Sequence, residues 1–481
     1  MVGPDPRGAL VALNRFGFGA RPGDLAAAAT DPRGFLKQEA GSAGVAQIAA
    51  PLPASHIALQ EMFADQERAR QEREAAAKAA ATSPSAGAAT EPPPQTAMQP
   101  AGGAATPPHQ PTPEQQLFRA EALALFQKQS GAPAGFVERL VAFWSNHFAV
   151  SAAKGAFVRV AAGPFEREAI RPHVLGRFKD MVLAVESHPA MLFYLDNQQS
   201  IGPNSQAGRN RRKGLNENLA RETLELHTLG VSGGYSQADV TSLARILTGW
   251  TFAGREGRNG EPGTFAFIPN WHEPGAQPLL GKSYAESGQA QGEAALADLA
   301  RHPATAVHVA TKLARHFVAD DPPPLLIAQL AEVFRDTQGD LKEVSFALID
   351  ADAAWSAPLT KMRTPMEFLI AAARATGFTP SDSGTFLGPL NAMGMPLWQP
   401  PGPNGFADTA AAWASPEAMK LRLDVAWQIA QRTRDTGNPL SVLDTVAGLA
   451  ASRETREAVA RAESRPQALA ILFMSPEFQR R

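Results

Sequence analysis

The sequence predicts an all-α protein, or nearly so: one large multi-helix domain with at most a small β-hairpin and a disordered insertion. Three observations carry this reading. Apolar residues return every three to four positions along most of the chain, the spacing of helices with one buried face. Pro, Gly and Asn punctuate these runs at intervals of about one helix. Segments with the two-residue alternation of a strand are few and short.

Residues 1–65 read as the N-terminal helices of the main domain. Leu10, Val11, Leu13 and Phe16 form an apolar stripe, Gly17–Gly19 breaks it, and Pro22 to Ala29 supplies the next short helix. Residues 66–113 read as a low-complexity insertion within the same domain. Arg68 to Lys78 is charged and Ala-rich, the pattern of a solvated helix, whereas Ala79 to Pro113 carries hardly any large apolar side chain. Such a segment buries too little surface to offset its ordering entropy, so disorder is expected from roughly 80 to 113. Residues 114–481 then form the main helical domain. Leu117, Ala120, Leu123, Ala124 and Phe126 set one stripe, and Val137, Leu140, Val141, Trp144 and Phe148 set another. Further helices are expected over 164–186, 215–229, 237–248, 291–301, 303–318, 324–337, 340–352, 364–376, 415–432, 439–449, 454–461 and 464–473. Ser236 with Asp239 three residues on is a capping-box pattern opening one of them. Gly263 to Ile268 and Pro278 to Leu280 are read together as a small hairpin.

A chain of 481 residues, 44% hydrophobic, has ample material for a large core. A net charge of −2 gives no basic field to favour nucleic acid. The absence of cysteine excludes disulfides, thiolate nucleophiles and Cys-ligated metal sites. It fits an oxidising compartment, and a cytosolic protein equally well. No run approaches the roughly 18 apolar residues of a membrane span, and Met1 to Arg7 lack the apolar core of a signal peptide.

The segment Leu215 to Leu229, closed by Gly230, is the likeliest seat of chemistry by pattern. At about 100° per residue, Leu215, Leu219, Leu226 and Leu229 share one face and Glu222 falls at its centre. A lone buried carboxylate costs several kcal/mol unless compensated, so Glu222 requires an arginine, a metal or a proton. A structural Arg–Glu network and a catalytic or metal-binding role fit comparably well. Asn218 and Glu225 border the face, with Arg221 just beyond. His227 points away from Glu222, as a core or cap histidine would, and a shared site needs a kink.

Four other groups stand out. His147 faces inward among Leu140, Phe143 and Trp144, either as a neutral core histidine or as a metal ligand or base. His308, Lys312 and His316 lie four apart on one helix face, which reads chiefly as solvated, with anion binding as the functional alternative. Asn270 to Pro274 places His272 beside Trp271 and Glu273 in a loop, where functional residues gather. The Pro/Gly-rich loop Met395 to Phe406, followed by Trp413, carries Trp398; its aromatics either stack on a sugar or peptide or plug the loop onto the core. No metal, nucleotide or nucleophile-elbow motif is present in its required context.

These residues resemble a bacterial family, the domain of unknown function 1800. The resemblance rests on Leu13 to Gly19, Phe143 to Phe148, Asn216 to Tyr235, Ala244 to Trp250, His302 to Ala306, Arg363 to Phe368, Pro400 to Trp413 and Ser475 to Phe478. It runs nearly the whole chain apart from 66–113. Phe406 stands where similar proteins carry Trp. The resemblance implies a secreted or periplasmic protein of Gram-negative bacteria, with a cytoplasmic location the alternative here. It also implies a partner from a second secreted family, the domain of unknown function 1501. It implies no reaction.

The leading expectation is an enzyme of hydrolase type acting on a glycan or other polymer. Glu222, Glu225, Arg221 and His147 are its catalytic candidates, and Asn218, His272, Trp398 and Trp413 its substrate-binding candidates. A divalent metal is a candidate cofactor, with Glu222, His147 and His272 as its ligands. The rival is a non-catalytic binding or scaffold protein that uses the aromatic loop to hold a surface polymer or a partner. A weaker third reading is a haem oxidoreductase, because the run Glu217 to His227 is similar to one in animal haem peroxidases, although its spacing differs by two residues.

Overall fold

The computed structural model describes residues 3–82, 111–210, 214–433 and 437–481. Helix dominates them, with 24 α-helices and two separate antiparallel strand pairs. Helix starts follow the caps written in the sequence. Thr112 with Gln115, Ser236 with Asp239 and Thr364 with Glu367 each close a reciprocal capping box.

Two expectations are corrected. The span 164–186 is not one helix. Ala156–Phe165 passes into a π-turn, Glu166–Ile170, then a single tight turn, Arg171–His173, before Phe178–Ser187. Pro172 has no N–H to continue the ladder, which explains the break. The two strand-like segments do not pair with each other. Phe265–Phe267 pairs with Trp250–Phe252, and Gln277–Leu279 pairs with Lys282–Tyr284. Leu280 (φ 51°) and Gly281 (φ 76°) make the second turn, both in the left-handed region that a two-residue hairpin requires. The solvated helix expected over Arg68 to Lys78 is present as part of a longer one. Ser55–Thr82 is a single helix; Leu59 and Met62 anchor it on Phe157 and Val160, and its charged half continues the same helix. Residues 83–110, most of the stretch expected to be disordered, lie outside the described residues.

Two apolar cores organise the rest. One gathers Phe16, Phe136, Trp144, Phe178 and Phe317; the other gathers Phe368, Leu443, Phe473 and Phe478. Buried arginines join them. Glu367 accepts from Arg139 Nη2 at 2.5 Å and from Arg481 Nε at 2.9 Å. The segment Leu13 to Gly19 sits at this seam with its carbonyls taken up by arginines: Arg139 donates to Gly17 O at 2.6 Å and Arg374 to Gly19 O at 2.7 Å. Gly17 admits no side chain, since a Cβ would lie 2.1 Å from Ala134 O. The segment therefore serves packing: Gly17 allows close approach, and the buried carbonyls of Gly17 and Gly19 receive guanidinium groups.

Candidate site around the Thr223–His227 turn

The segment expected as one helix from Leu215 to Leu229 is α-helical only over Asn218–Glu222 and then becomes a π-turn, Thr223–His227. Gly230 ends it at φ 84°. A π-turn widens the helix, so a wheel drawn at constant pitch fails beyond Thr223. The buried side chains are Leu219, Ala220, Thr223, Leu224, His227, Thr228 and Leu229; Glu222, Glu225 and Leu226 are half-buried. Glu222 therefore lies on the edge of the buried face, not at its centre as the wheel placed it.

Three tertiary contacts hold the turn. His227 Nδ1 donates to Glu186 Oε1 at 2.7 Å, and both side chains are 0% exposed. The carbonyls at the helix end lack partners of their own and are capped by imidazoles from other helices. His147 Nε2 lies 3.1 Å from His227 O, and His308 Nε2 lies 3.0 Å from Leu226 O. Burial pushes the His147 pKa well below its ordinary value and that of His308 to about 4. Both rings are therefore neutral at pH 7, and each N–H donates to its carbonyl. The positions left over are polar and dry: His147 Nδ1, His227 Nε2 and Glu186 Oε2 are buried without a hydrogen-bond partner.

Glu222 makes no hydrogen bond or ion pair with the described residues, and burial raises its pKa, helped by Glu225 and Glu186 and opposed by His227 and Arg221. Arg221, the expected counter-charge, turns instead to Glu217 (3.1 Å) and Gln237 (3.0 Å). Of the three compensations open to Glu222, an arginine is not the one supplied among the described residues. Phenols flank the edge. Tyr235 OH donates to Glu225 Oε2 at 3.4 Å, and the pKa of Tyr194 is raised by burial and then by Glu222. The edge thus collects Glu222, Glu225, Arg221 and the exposed Asn218, with Glu186 and His227 beneath.

The family model described as Protein of unknown function (DUF1800) matches residues 11–480. The chain belongs to this family. Neither the curated proteins nor the solved structures contain a match.

The other candidates of this DUF1800 chain lie apart from the carboxylate edge. His272 is buried in its loop, with Nδ1 donating to Thr248 O at 3.0 Å, while Glu273 accepts from Asn204 N and Nδ2. Trp413 is 8% exposed and donates to Ala407 O at 2.9 Å. Trp398 is half-buried and stands edge-on to Phe118. Both rings are folded onto the body of the protein. The face carrying His308, Lys312 and His316 is not the solvated surface expected of it. His308 caps the π-turn, and His316 Nδ1 donates to Asp408 Oδ2 at 2.8 Å. Lys312 is half-buried, with its pKa lowered to about 8 by burial. Among the described residues, no group of three or more His, Asp and Glu side chains is arranged to hold a metal ion. No described helix is long and apolar enough to cross a membrane.

The Pro400 to Trp413 loop is tied down at two points. Asp408 meets His316 and Lys361, and the backbone of Phe406 exchanges two hydrogen bonds with the Asn146 side chain, at 2.8 and 2.9 Å. Gly405 precedes this clamp at φ 77°, where a Cβ would lie 2.4 Å from Asn146 O. Gly405→Ala is expected to cost about 1–2 kcal/mol from the left-handed backbone alone, with the clash adding to it. Thermal denaturation reads this as a lower Tm, and an unchanged Tm would show that the clamp is not formed.

Glu186 carries a local signal in the sequence. Met181, Val182 and Val185 define a buried stripe on Phe178–Ser187, and Glu186 lies within it, the same pattern that singled out Glu222. The capping role of His308 has no comparable local signal.

Proposed function

We propose that this protein is an acid–base enzyme of hydrolase type whose titrating group is Glu222, working with Glu225 beside it on the carboxylate edge. The observation that carries this reading is a half-buried, unpartnered carboxyl with a raised pKa above the buried Glu186–His227 pair. A carboxyl that keeps its proton closer to neutrality is suited to donate it, and a second carboxylate in a different environment takes the base or nucleophile role. Glu186 acts as a positioning residue through His227, which anchors the π-turn that directly follows Glu222. The edge is open and flanked by phenols, which favours a substrate that lies across a surface, such as a glycan or another polymer. A divalent metal bound by Glu222 and Glu225 is a variant of the same reading, and elemental mass spectrometry of purified protein tests it.

Glu222→Gln is the direct test. Hydrolysis of a polysaccharide panel, measured as reducing ends released, should fall about 100-fold or more, while Tm at pH 7 stays level or rises. The sign follows from linkage. The folded-state pKa of Glu222 lies above its ordinary 4.5, so the group lowers stability as pH rises through that interval. Glu222→Gln should lack that fall. Retained hydrolysis, or a collapse of stability at pH 7, would assign Glu222 a structural role.

A second reading, a scaffold for a secreted partner of the domain of unknown function 1501 family, is favoured by one feature. Leu423 (49% exposed) and Trp427 (41% exposed) stand one turn apart on Pro416–Arg432. A periplasmic or secreted location belongs with either reading and rests on the family resemblance; cell fractionation tests it.

A further inference from the structure

Lys361 and Lys312 both lie against the body of the protein, and their ammonium groups are accommodated differently. Lys361 is 2% exposed and donates to Asp320 Oδ1 at 2.7 Å and to Asp408 O at 2.9 Å. Lys312 is half-buried and makes no hydrogen bond or ion pair with the described residues. Its Nζ keeps access to solvent, unlike the unpartnered His147 Nδ1. Lys312 is therefore a recessed amine that holds no counter-ion and can still be reached.

Its neighbours explain why no counter-charge pairs with it. Lys312 sits one turn from His308 and one turn from His316 on Pro303–Phe317. Asp408, whose field reaches Lys312, already accepts from His316 Nδ1 at 2.8 Å. It also lies 3.4 Å from Lys361 Nζ and 3.7 Å from Arg481 Nη2. His147, from Phe136–His147, lies 5.9 Å from His308, ring centre to ring centre, and the charge of Lys312 acts on both rings. Both rings are neutral, and each spends its N–H on a carbonyl of the π-turn. Neither offers an N–H to an anion at Lys312. The exposed Arg315, three residues on, adds a repelling charge. Burial disfavours the charged form of an amine. It brings the Lys312 pKa down to about 8, with Asp408 opposing and Arg315 adding to the fall. At pH 7.5 about a quarter of Lys312 is then free amine, against about one part in a thousand for an ordinary lysine. A desolvated lysine beside another cation is an activated nucleophile toward carbonyl carbon.

We propose that Lys312 is a covalent capture site for a short-chain aldehyde, which its Nζ binds reversibly as an imine. The neutral amine adds to the carbonyl carbon, forming the C–N bond of a carbinolamine. The aldehyde oxygen then leaves as water with the two amine hydrogens, and the C=N bond remains. Water reverses both steps, and no oxidant or reductant is consumed. Because the amine is recessed, an unbranched aldehyde reaches it more readily than one branched beside the carbonyl. The site is separate from the proposed reaction of Glu222, and neither depends on the other.

The test is to incubate the full chain with acetaldehyde and sodium cyanoborohydride, which reduces an imine to a stable secondary amine. Peptide mass spectrometry then reads ethylation at each lysine, with the exposed Lys420 as internal reference. At pH 7.5 Lys312 should be ethylated at least tenfold faster than Lys420. The ratio of the two rates should be steady below pH 8 and fall as pH rises toward 10.5, because Lys312 is then fully deprotonated while Lys420 continues to gain free amine. Pivaldehyde, branched beside its carbonyl, should lose the tenfold preference. Lys312→Arg, checked for folding by near-UV circular dichroism, should lose the fast site and leave Lys420 unchanged. If that variant does not fold, the wild-type peptide map still decides, since it places the adduct directly. Ethylation of Lys312 no faster than that of Lys420 at pH 7.5 overturns the proposal, and so does a ratio that stays constant up to pH 10.5. An equal preference with pivaldehyde overturns the restriction to short-chain aldehydes.

Discussion

Glu367→Ala is expected to destabilise the protein by about 3–5 kcal/mol, the range for removing one partner of a buried ion pair. Glu367 is 5% exposed and serves two arginines at once, Arg139 at 2.5 Å and Arg481 at 2.9 Å. It also completes the capping box of Pro365–Thr376 through Thr364 N at 2.9 Å. Alanine leaves two guanidinium groups buried against each other and removes the cap in the same step. Burial by itself would raise the Glu367 pKa, but Arg139 and Arg481 outweigh it and hold the group at about 2. Its contribution is therefore present above its ordinary value of 4.5 and is lost as pH falls toward 2. Chemical denaturation at pH 7 and at pH 3 checks both statements: the gap between wild type and Glu367→Ala should be widest at pH 7 and narrow on acidification. A gap independent of pH would mean that the loss is one of packing and not of charge.

Arg171→Met should cost about as much, 3–5 kcal/mol by the same reasoning, for the opposite charge. Arg171 is 1% exposed; it holds Glu138 through two hydrogen bonds of 2.8 and 2.9 Å and Glu166 through one of 2.9 Å. Methionine keeps much of the volume and leaves two buried carboxylates facing each other without a cation. Each would then take up a proton to avoid the charge, so the variant should regain stability as pH falls, where wild type does not. Replacing all three residues by apolar ones of similar size should recover most of the loss, since a well-packed apolar cluster stands in for a buried ion network at little cost. Equilibrium unfolding of Arg171→Met and of the triple variant decides this. A triple variant no more stable than Arg171→Met would show that the geometry, not the charge balance, is what the network supplies.

These networks mark the limit of what the chain discloses on its own. Helices with one apolar stripe and a written cap, such as Gln237–Ile246 and Pro365–Thr376, were legible because pattern and cap are local. The span 164–186 was misread because its stripe continues through Pro172 while the backbone cannot. Short helices such as Pro189–Tyr194 and Gly384–Ala392 escaped because they show too few turns to establish a period. At the carboxylate edge, the need of Glu222 for compensation was legible and its position on the face was not. The π-turn that shifts the following leucines relative to Glu222 is held by Glu186, His147 and His308, which lie 36, 75 and 86 positions from Glu222 in the chain.

The sequence by itself determined the all-α class, the capped helix starts, the absence of cysteine chemistry and the family, since each depends on neighbours a few residues apart or on composition. Tertiary structure alone decided which glutamate is dry, which histidines are caps and that Trp398 and Trp413 fold inward. The physical reason is that desolvation and hydrogen bonding belong to the assembled surroundings of a group. A helix wheel supplies only the surroundings that its own helix makes.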